Sequence, residues 1–340
     1  MSEPTSVLTF SDLILEVAHK LGMAYYGVNA EGVAEIPVDA HDLAECKRVV
    51  NSGIRMFIHD APKSNGWRWT KPLASVVLWP SVVAVAGTTV TAVWDVVTGK
   101  TTITAGVASF YESMELRTIT FTVGGSFTIS DYVSPTVVKV TGNAAAASGS
   151  TWVMTSTGDY TLSPWFGGEY SGRILYVSNT GVGSGIEWIS ESVIREWRQN
   201  LASSSGTPYL AAVRAMTTGT PRRRWELIVH PASTELLTVQ FQYPLYFDKL
   251  TAVTEVHPAP FGHDETVKAA CLAVAEKEKN DAPGPDWEYY RGICLPNSYR
   301  IDAASAPRRL GYFGDPGSAS ESGDYRNSAG YTRPLIVYYP

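Results

Sequence analysis

The chain has 340 residues, 44% hydrophobic and 18% charged, with a formal net charge of −6. Those proportions exclude a disordered chain and leave room for two or three domains, each with its own core. The acidic balance excludes a sequence-independent grip on duplex nucleic acid, which depends on Lys and Arg neutralising phosphates; a channel wall past which DNA slides remains compatible with it.

Cys46, Cys271 and Cys294 are too few and too scattered for a zinc ribbon or a disulfide framework, and the first two fall on apolar helical positions. The opening SEPTSVLTFSDLILEV carries acids where a signal peptide would be basic, so no secretory leader is expected. No apolar run approaches the ~20 residues that span a bilayer, so no membrane contact is expected either.

In chain order, TFSDLILEVAHKL predicts a short helix from Thr9 to Leu21, capped by Ser11 and closed by Gly22. A longer helix follows in VDAHDLAECKRVVNSGIRMFIHDAP. Asp39 caps it, Pro62 stops it, and Leu43, Cys46, Val50, Ile54, Phe57 and Ile58 form its buried face. From Ser75 to about Thr155 the chain turns to Val, Thr, Gly and Ala. Runs such as TTVTAVWDVV, RTITFTV and PTVVKVTG predict short antiparallel strands closing into a small barrel or sandwich. Thr98-Gly99-Lys100 suits a hairpin turn, and GNAAAASGS reads as a flexible surface loop.

Strands continue through TGDYTLSPWFGGEYSGRILYVSN and GIEWISES, and a helix is predicted in SESVIREWRQNL. In PRRRWELIVHPASTELLTVQFQY, two strands alternate. Trp225, Leu227 and Val229 share one face of the first, and Leu237, Val239, Phe241 and Tyr243 share one face of the second. The pair reads as two half-buried strands joined by HPASTE, with Arg222, Arg223 and Arg224 solvated at the strand mouth. A subunit or phosphate contact is the sharper reading of these arginines.

HDETVKAACLAVAEKEKND is the strongest helical pattern, with Val267, Cys271, Val274 and Ala275 on one stripe, and Pro283-Gly284-Pro285 breaks it. A last helical segment, DWEYYRGICLPNSYRIDAA, is expected to be interrupted at Pro296. Beyond it lies a polar stretch that ends in the β-prone Leu335, Ile336, Val337, Tyr338 and Tyr339.

The search for chemistry yields little. His263-Asp264-Glu265 looks like a metal triplet on paper, but neighbouring residues point apart and the place suits helix capping. GVGSG lacks dinucleotide-loop spacing, neither a phosphate loop nor a nucleophile elbow occurs, and Asp159 with Glu169 is not a glycosidase pair on spacing alone. No catalytic residue, metal or cofactor is expected, and the chain reads as a non-enzyme.

Taken in order, several pieces carry a resemblance. They are LEVAHKLG, VVNSGIRMFI, WRW, TGDYTLSPWFGGEYSGRILY, GTPYLAAVR, RRRWELIVHPASTELLTVQFQYPLYFDKLT, ACLAVAE and RRLGYFGD. Together they resemble the head–tail adaptor (connector or neck) proteins of tailed bacteriophages, across residues 8–72 and 156–315. The resemblance implies an α+β chain in which N- and C-terminal segments form a helical bundle beside an antiparallel β body. An inserted small β-barrel or sandwich departs from the family pattern. The expected division is 1–74 helical, 75–155 inserted β, 156–260 β body, 261–315 helical and 316–340 an extended arm. The implied role is a dodecameric ring of self-associating copies in the virion neck, assembled in the host cytoplasm. Its implied partners are the portal protein, tail, nozzle or terminator proteins, and packaged DNA that passes without sequence-specific binding. Expected interface residues are Arg222, Arg223, Arg224, Asp264 on the polar face of its helix, and Leu335–Tyr339. The alternative is a tail- or fibre-associated protein binding a host glycan through Trp94, Tyr111, Tyr132 and Trp152, since aromatic rings stack on sugars.

Overall fold

The computed structural model describes residues 8–26, 34–63, 66–83, 89–168, 170–177, 185–200, 205–217 and 223–304. The chain is α+β and divides into two compact units, one of residues 1–64 with 250–340, the other of residues 65–249.

The helical unit begins with α1 (Phe10–Leu21). Thr9, not Ser11, is its cap: Thr9 Oγ1 accepts from Asp12 N at 3.3 Å while Asp12 accepts from Thr9 N at 2.8 Å. This reciprocal box satisfies two amide donors at once, which Ser11, already inside the first turn, cannot do. Gly22 closes the helix in the left-handed region at φ 83°. The two-residue strands β1 (Tyr25–Tyr26) and β2 (Ala34–Glu35) pair ahead of α2 (Ala40–His59). Asp39 caps α2 by accepting from His41 N and Asp42 N. The buried face of α2 is Cys46, Val49, Val50, Gly53, Ile54 and Phe57, with Leu43 and Ile58 at its half-buried margins.

The β unit starts with β3 (Leu73–Leu78), β4 (Val82–Val83), β5 (Val90–Asp95) and β6 (Lys100–Ala105). Next come β7 (Thr118–Phe121), β8 (Gly125–Ser134), β9 (Val137–Thr141) and β10 (Trp152–Met154). All except β3 form one antiparallel sheet in the order β4-β10-β7-β8-β9-β6-β5. This sheet rolls up until β5 meets the segment leading into β10: Val90 N donates to Ser150 O at 3.1 Å and Gly149 N to Val90 O at 2.8 Å. GNAAAASGS is no loose surface loop, because Ala144 and Ala147 are fully buried and plug the rolled sheet. Gly124, at φ 105°, lets the chain pass there; a Cβ on it would lie 3.1 Å from Ala147 N.

The rest of the unit is β11 (Asp159–Thr161), β12 (Ser171–Tyr176), β13 (Glu187–Trp188), α3 (Glu191–Asn200) and β14 (Ser205–Gly206). It ends with β15 (Leu210–Ala215), β16 (Trp225–His230), β17 (Ala232–Ser233) and β18 (Leu237–Gln242). They make a four-stranded sheet, β11-β16-β15-β13, and a three-stranded one, β12-β18-β3, which share a core between them and are called the sandwich below. Among the described residues only the short β13–β15 and β14–β17 pairings are parallel. Two expectations change here. First, β3 pairs with β18, so the rolled sheet begins at Val82 and not at residue 75. Second, β16 and β18 are not hairpin partners but belong to different sheets. The reason is that β16 is buried on both faces: Leu227 and Val229 meet Val239 and Phe241 in the main core, while Ile228 packs with Ile194 of α3, Leu210 and Ala212. That main core is continuous with the interior of the rolled sheet, where Ile103, Ile119, Ile129 and Val140 are fully buried. Tyr160 bridges the two parts by donating to Trp79 O at 3.1 Å.

The chain returns to the helical unit with α4 (Asp264–Asn280), α5 (Pro285–Tyr289), a π-helical turn (Tyr290–Cys294) and α6 (Leu295–Ala304). Alanines at 269, 270, 273 and 275 and Cys271 make α4 thin enough to be buried on most of its surface. α4 crosses α2 at Gly53, where an added Cβ would sit 2.5 Å from Cys271 Cα. Burial pushes the Cys46 thiol up to about 11 and that of Cys271 to about 12, as expected for inert core thiols. After the Pro-Gly-Pro break, the buried Glu276 carboxylate caps α5 by accepting from Asp286 N at 2.9 Å and Trp287 N at 3.2 Å. The last helix does not break at Pro296. The irregularity is the π turn just before it, a wider turn that spares the Gly292 carbonyl a clash with a ring that has no N–H to offer.

Candidate interaction surfaces

Arg222 lies outside the described residues, and Arg223 is exposed. Arg224 is not solvated: its side chain is 14% exposed, 2.8 Å from Glu115 Oε2, and donates to Leu162 O at 3.0 Å. Arg224, the residue before β16, meets Glu115 just past the Glu112–Met114 turn of the rolled sheet. Nearby, Glu226, 4% exposed, accepts from Arg117 Nη2 and Arg214 Nε, each at 2.5 Å. Arg214 also approaches Glu191 at 3.4 Å and Asp159 at 3.8 Å. Arg198 bonds Asp159 at 2.7 Å and two backbone carbonyls. Burial raises the Glu112 carboxyl, with the neighbouring Glu115 charge adding to the effect. Here arginine charge is spent on internal carboxylates, and Arg117–Glu226 and Arg224–Glu115 tie the rolled sheet to the sandwich. Asp159 is thus an ion-pair partner; Glu169 lies outside the described residues.

In the helical unit, three consecutive residues meet three partners. His263 Nδ1 is 3.0 Å from Ser298 Oγ, Asp264 Oδ1 is 3.0 Å from His257 Nε2, and Tyr289 OH is 3.4 Å from Glu265 Oε1. Ser298, wholly buried, donates on to Thr266 Oγ1 at 2.7 Å. Among the described residues no group of three or more His, Cys, Asp or Glu is placed to hold a metal. Asp264 therefore belongs to an internal network joining the loop before α4 to α4 itself. His257 and Ser298 carried no sequence signal, since their partners are known only once the helices are packed.

Burial lowers the basicity of His257 and His263, against the opposing pull of Asp264 and Asp302 respectively. Both imidazoles are therefore neutral in the fold, while the unfolded chain takes up protons near the usual value of about 6.5. Their contribution is intact above that pH and is lost as pH falls through the lowered folded values. The thermal midpoint of the helical unit is expected to fall between pH 7.5 and 5. Replacing both histidines by Gln should flatten that dependence in calorimetry; an equally steep fall in the variant would contradict this origin.

Of the aromatics considered for sugar stacking, Trp152 is core, 3% exposed and 5.2 Å from Phe110 between ring centroids. Tyr111 and Tyr132 pack against the same core, and Trp94 is half-exposed. Exposed apolar side chains occur in both units; in the rolled sheet Val96 is 78% and Val97 89% exposed. In the helical unit, Phe261 is 70% and Ile293 62% exposed, and Tyr289, Ile301 and Val256 are also exposed. A Cβ at Gly262 would touch Ile301 Cγ2 at 3.5 Å, so Ile301 lies against the residue that follows Phe261. The signal was present in DWEYYRGICLPNSYRIDAA. Tyr290, Cys294, Ser298 and Asp302 step by four along the buried side, which turns Tyr289, Ile293 and Ile301 outward. The expected tip, Leu335–Tyr339, lies outside the described residues. Among the described residues no helix is long and apolar enough to cross a membrane. No family model matches the sequence, and no curated protein matches it either.

Proposed function

We propose that this chain is a non-enzymatic assembly protein of a tailed-phage virion, a head-to-tail adaptor whose copies close into a ring, dodecameric by the resemblance, docked on the portal. The ring extends the DNA channel and offers tail proteins a platform. The observation that carries this reading is that Phe261, Tyr289, Ile293 and Ile301 of the helical unit are all exposed. Large apolar side chains left wet suit a surface made for contact, and a repeated heterologous contact whose rotation closes makes a ring. The formal charge of −6 supports a bore to which DNA does not adhere. Deleting the gene is the test. Capsids that package DNA but leak it and bear no tail support the reading; normal tailed particles from the deletion would overturn it.

A further inference from the structure

We infer that the open edge of β3 is covered by an added strand, and that this strand is Leu335–Tyr339 of the same chain. β3 stands at the end of its sheet, with β18 on one side. Val177 N donates to Thr238 O at 2.9 Å, so Thr238 turns its backbone groups toward β12. By alternation Leu237, Val239 and Phe241 face β3, where they lie opposite Leu78, Val76 and Ala74. The N–H and C=O groups of Leu73, Ser75 and Val77 therefore point away from β18, along the outer edge. Ser113 Oγ donates to Val77 O at 2.6 Å from that outer side, which closes one end of the edge. At Leu73 and Ser75 no backbone group of the described residues meets the outer groups. Both side chains are exposed there, Leu73 at 59%.

An open edge is a hazard, because any extended chain can add to it, and proteins blunt such edges with charge, proline, bulges or a cover. LASVVL of β3 carries no charge and no proline, and its register with β18 is unbroken. Lys71 and Pro72 guard only its entrance. Unpaired N–H and C=O groups alternating along an edge are satisfied by one kind of ligand, another extended strand. Leu335-Ile336-Val337-Tyr338-Tyr339 is an uninterrupted apolar run rich in strand formers, and it lies outside the described residues. It is apolar on both faces. An added strand needs that here, with exposed Leu73 on one side of the sheet and the buried Val76 on the other. About 30 residues separate the run from the end of α6, enough to reach roughly 100 Å at 3.3–3.6 Å per residue. Such a tether gives the run an effective concentration on the order of millimolar, above that of a second copy in dilute solution. Mass action therefore favours the same chain as the source.

Residue-resolved hydrogen exchange on the full-length chain tests this, comparing the wild type with the double variant Ile336→Pro, Val337→Pro. Proline has no N–H to donate, and neighbouring positions face opposite sides of a strand, so the pair of substitutions blocks pairing in either register. In the wild type the outer amides of Leu73 and Ser75 are expected to be protected from exchange, like the inner amides of Ala74 and Val76. In the variant the outer amides are expected to lose that protection. The inner ones, held by β18, should keep theirs, which shows that the variant is folded. Wild-type protection is also expected to persist on dilution. Three results would each overturn the inference: outer amides that exchange at open-chain rates in the wild type, protection that survives the double substitution, and protection lost on dilution, as a strand from another copy would give.

Discussion

Replacing Glu226 by Ala is expected to destabilise the β unit by about 3 kcal/mol, the low end of what breaking a buried pair costs. Glu226 accepts from Arg117 and Arg214 at 2.5 Å each. Arg117, whose side chain is 18% exposed, would lose the carboxylate it is paired with. Arg214 is 36% exposed and keeps Glu191 and Asp159, so it loses less and holds the figure at the low end. A loss of this size in a unit of this length corresponds to a drop of about 6–12 °C in its melting temperature. Glu226→Gln keeps an acceptor and should cost less. Hydrogen exchange should speed up on both sides of the junction, in the Glu112–Thr118 stretch as well as in β16. A melting temperature unchanged by Glu226→Ala would show that the ion pairs do not hold the rolled sheet to the sandwich.

The second large effect is expected at Gly53. On an exposed helix, Gly→Ala stabilises by about 1 kcal/mol. Here the new methyl would meet Cys271 Cα at 2.5 Å and Cys271 N at 2.8 Å, backbone atoms that no rotamer change can move. α2 and α4 must part, and overpacking of this kind costs about 1–3 kcal/mol or more. Because the obstacle is backbone, the clash outweighs the propensity gain, and Gly53→Ala is expected to lower the stability of the helical unit by about 2 kcal/mol. Chemical denaturation measures it; a variant as stable as the parent would mean that the helices cross with slack.

Local rules were legible in the sequence. Asp39 at the start of α2, Gly22 at the end of α1 and the Pro283-Gly284-Pro285 break all act within one helical turn of themselves. The alternation of β18 was equally readable, because that strand has one wet side. β16 was not. Its buried Glu226 finds Arg117 109 residues earlier in the chain, a partnership no local pattern reveals. The same holds for Arg224 and Glu115. Gly53 left a readable trace, a glycine at the middle of an otherwise strong helix, which signals a close approach by another backbone. Of the expected contact residues, Arg224 and Asp264 turned inward to internal partners. The exposed Tyr289, Ile293 and Ile301 were overlooked, since apolar residues of a last helix read as core until its buried side proves to include Ser298 and Asp302.

We propose that this chain supplies geometry and no chemistry at a cleft, and negative-stain electron microscopy of the purified protein mixed with a portal protein tests the proposal most directly. Coaxial rings capping the portal in end and side views are expected; single, unassembled copies beside bare portals, at concentrations where the portal itself is intact, would contradict it.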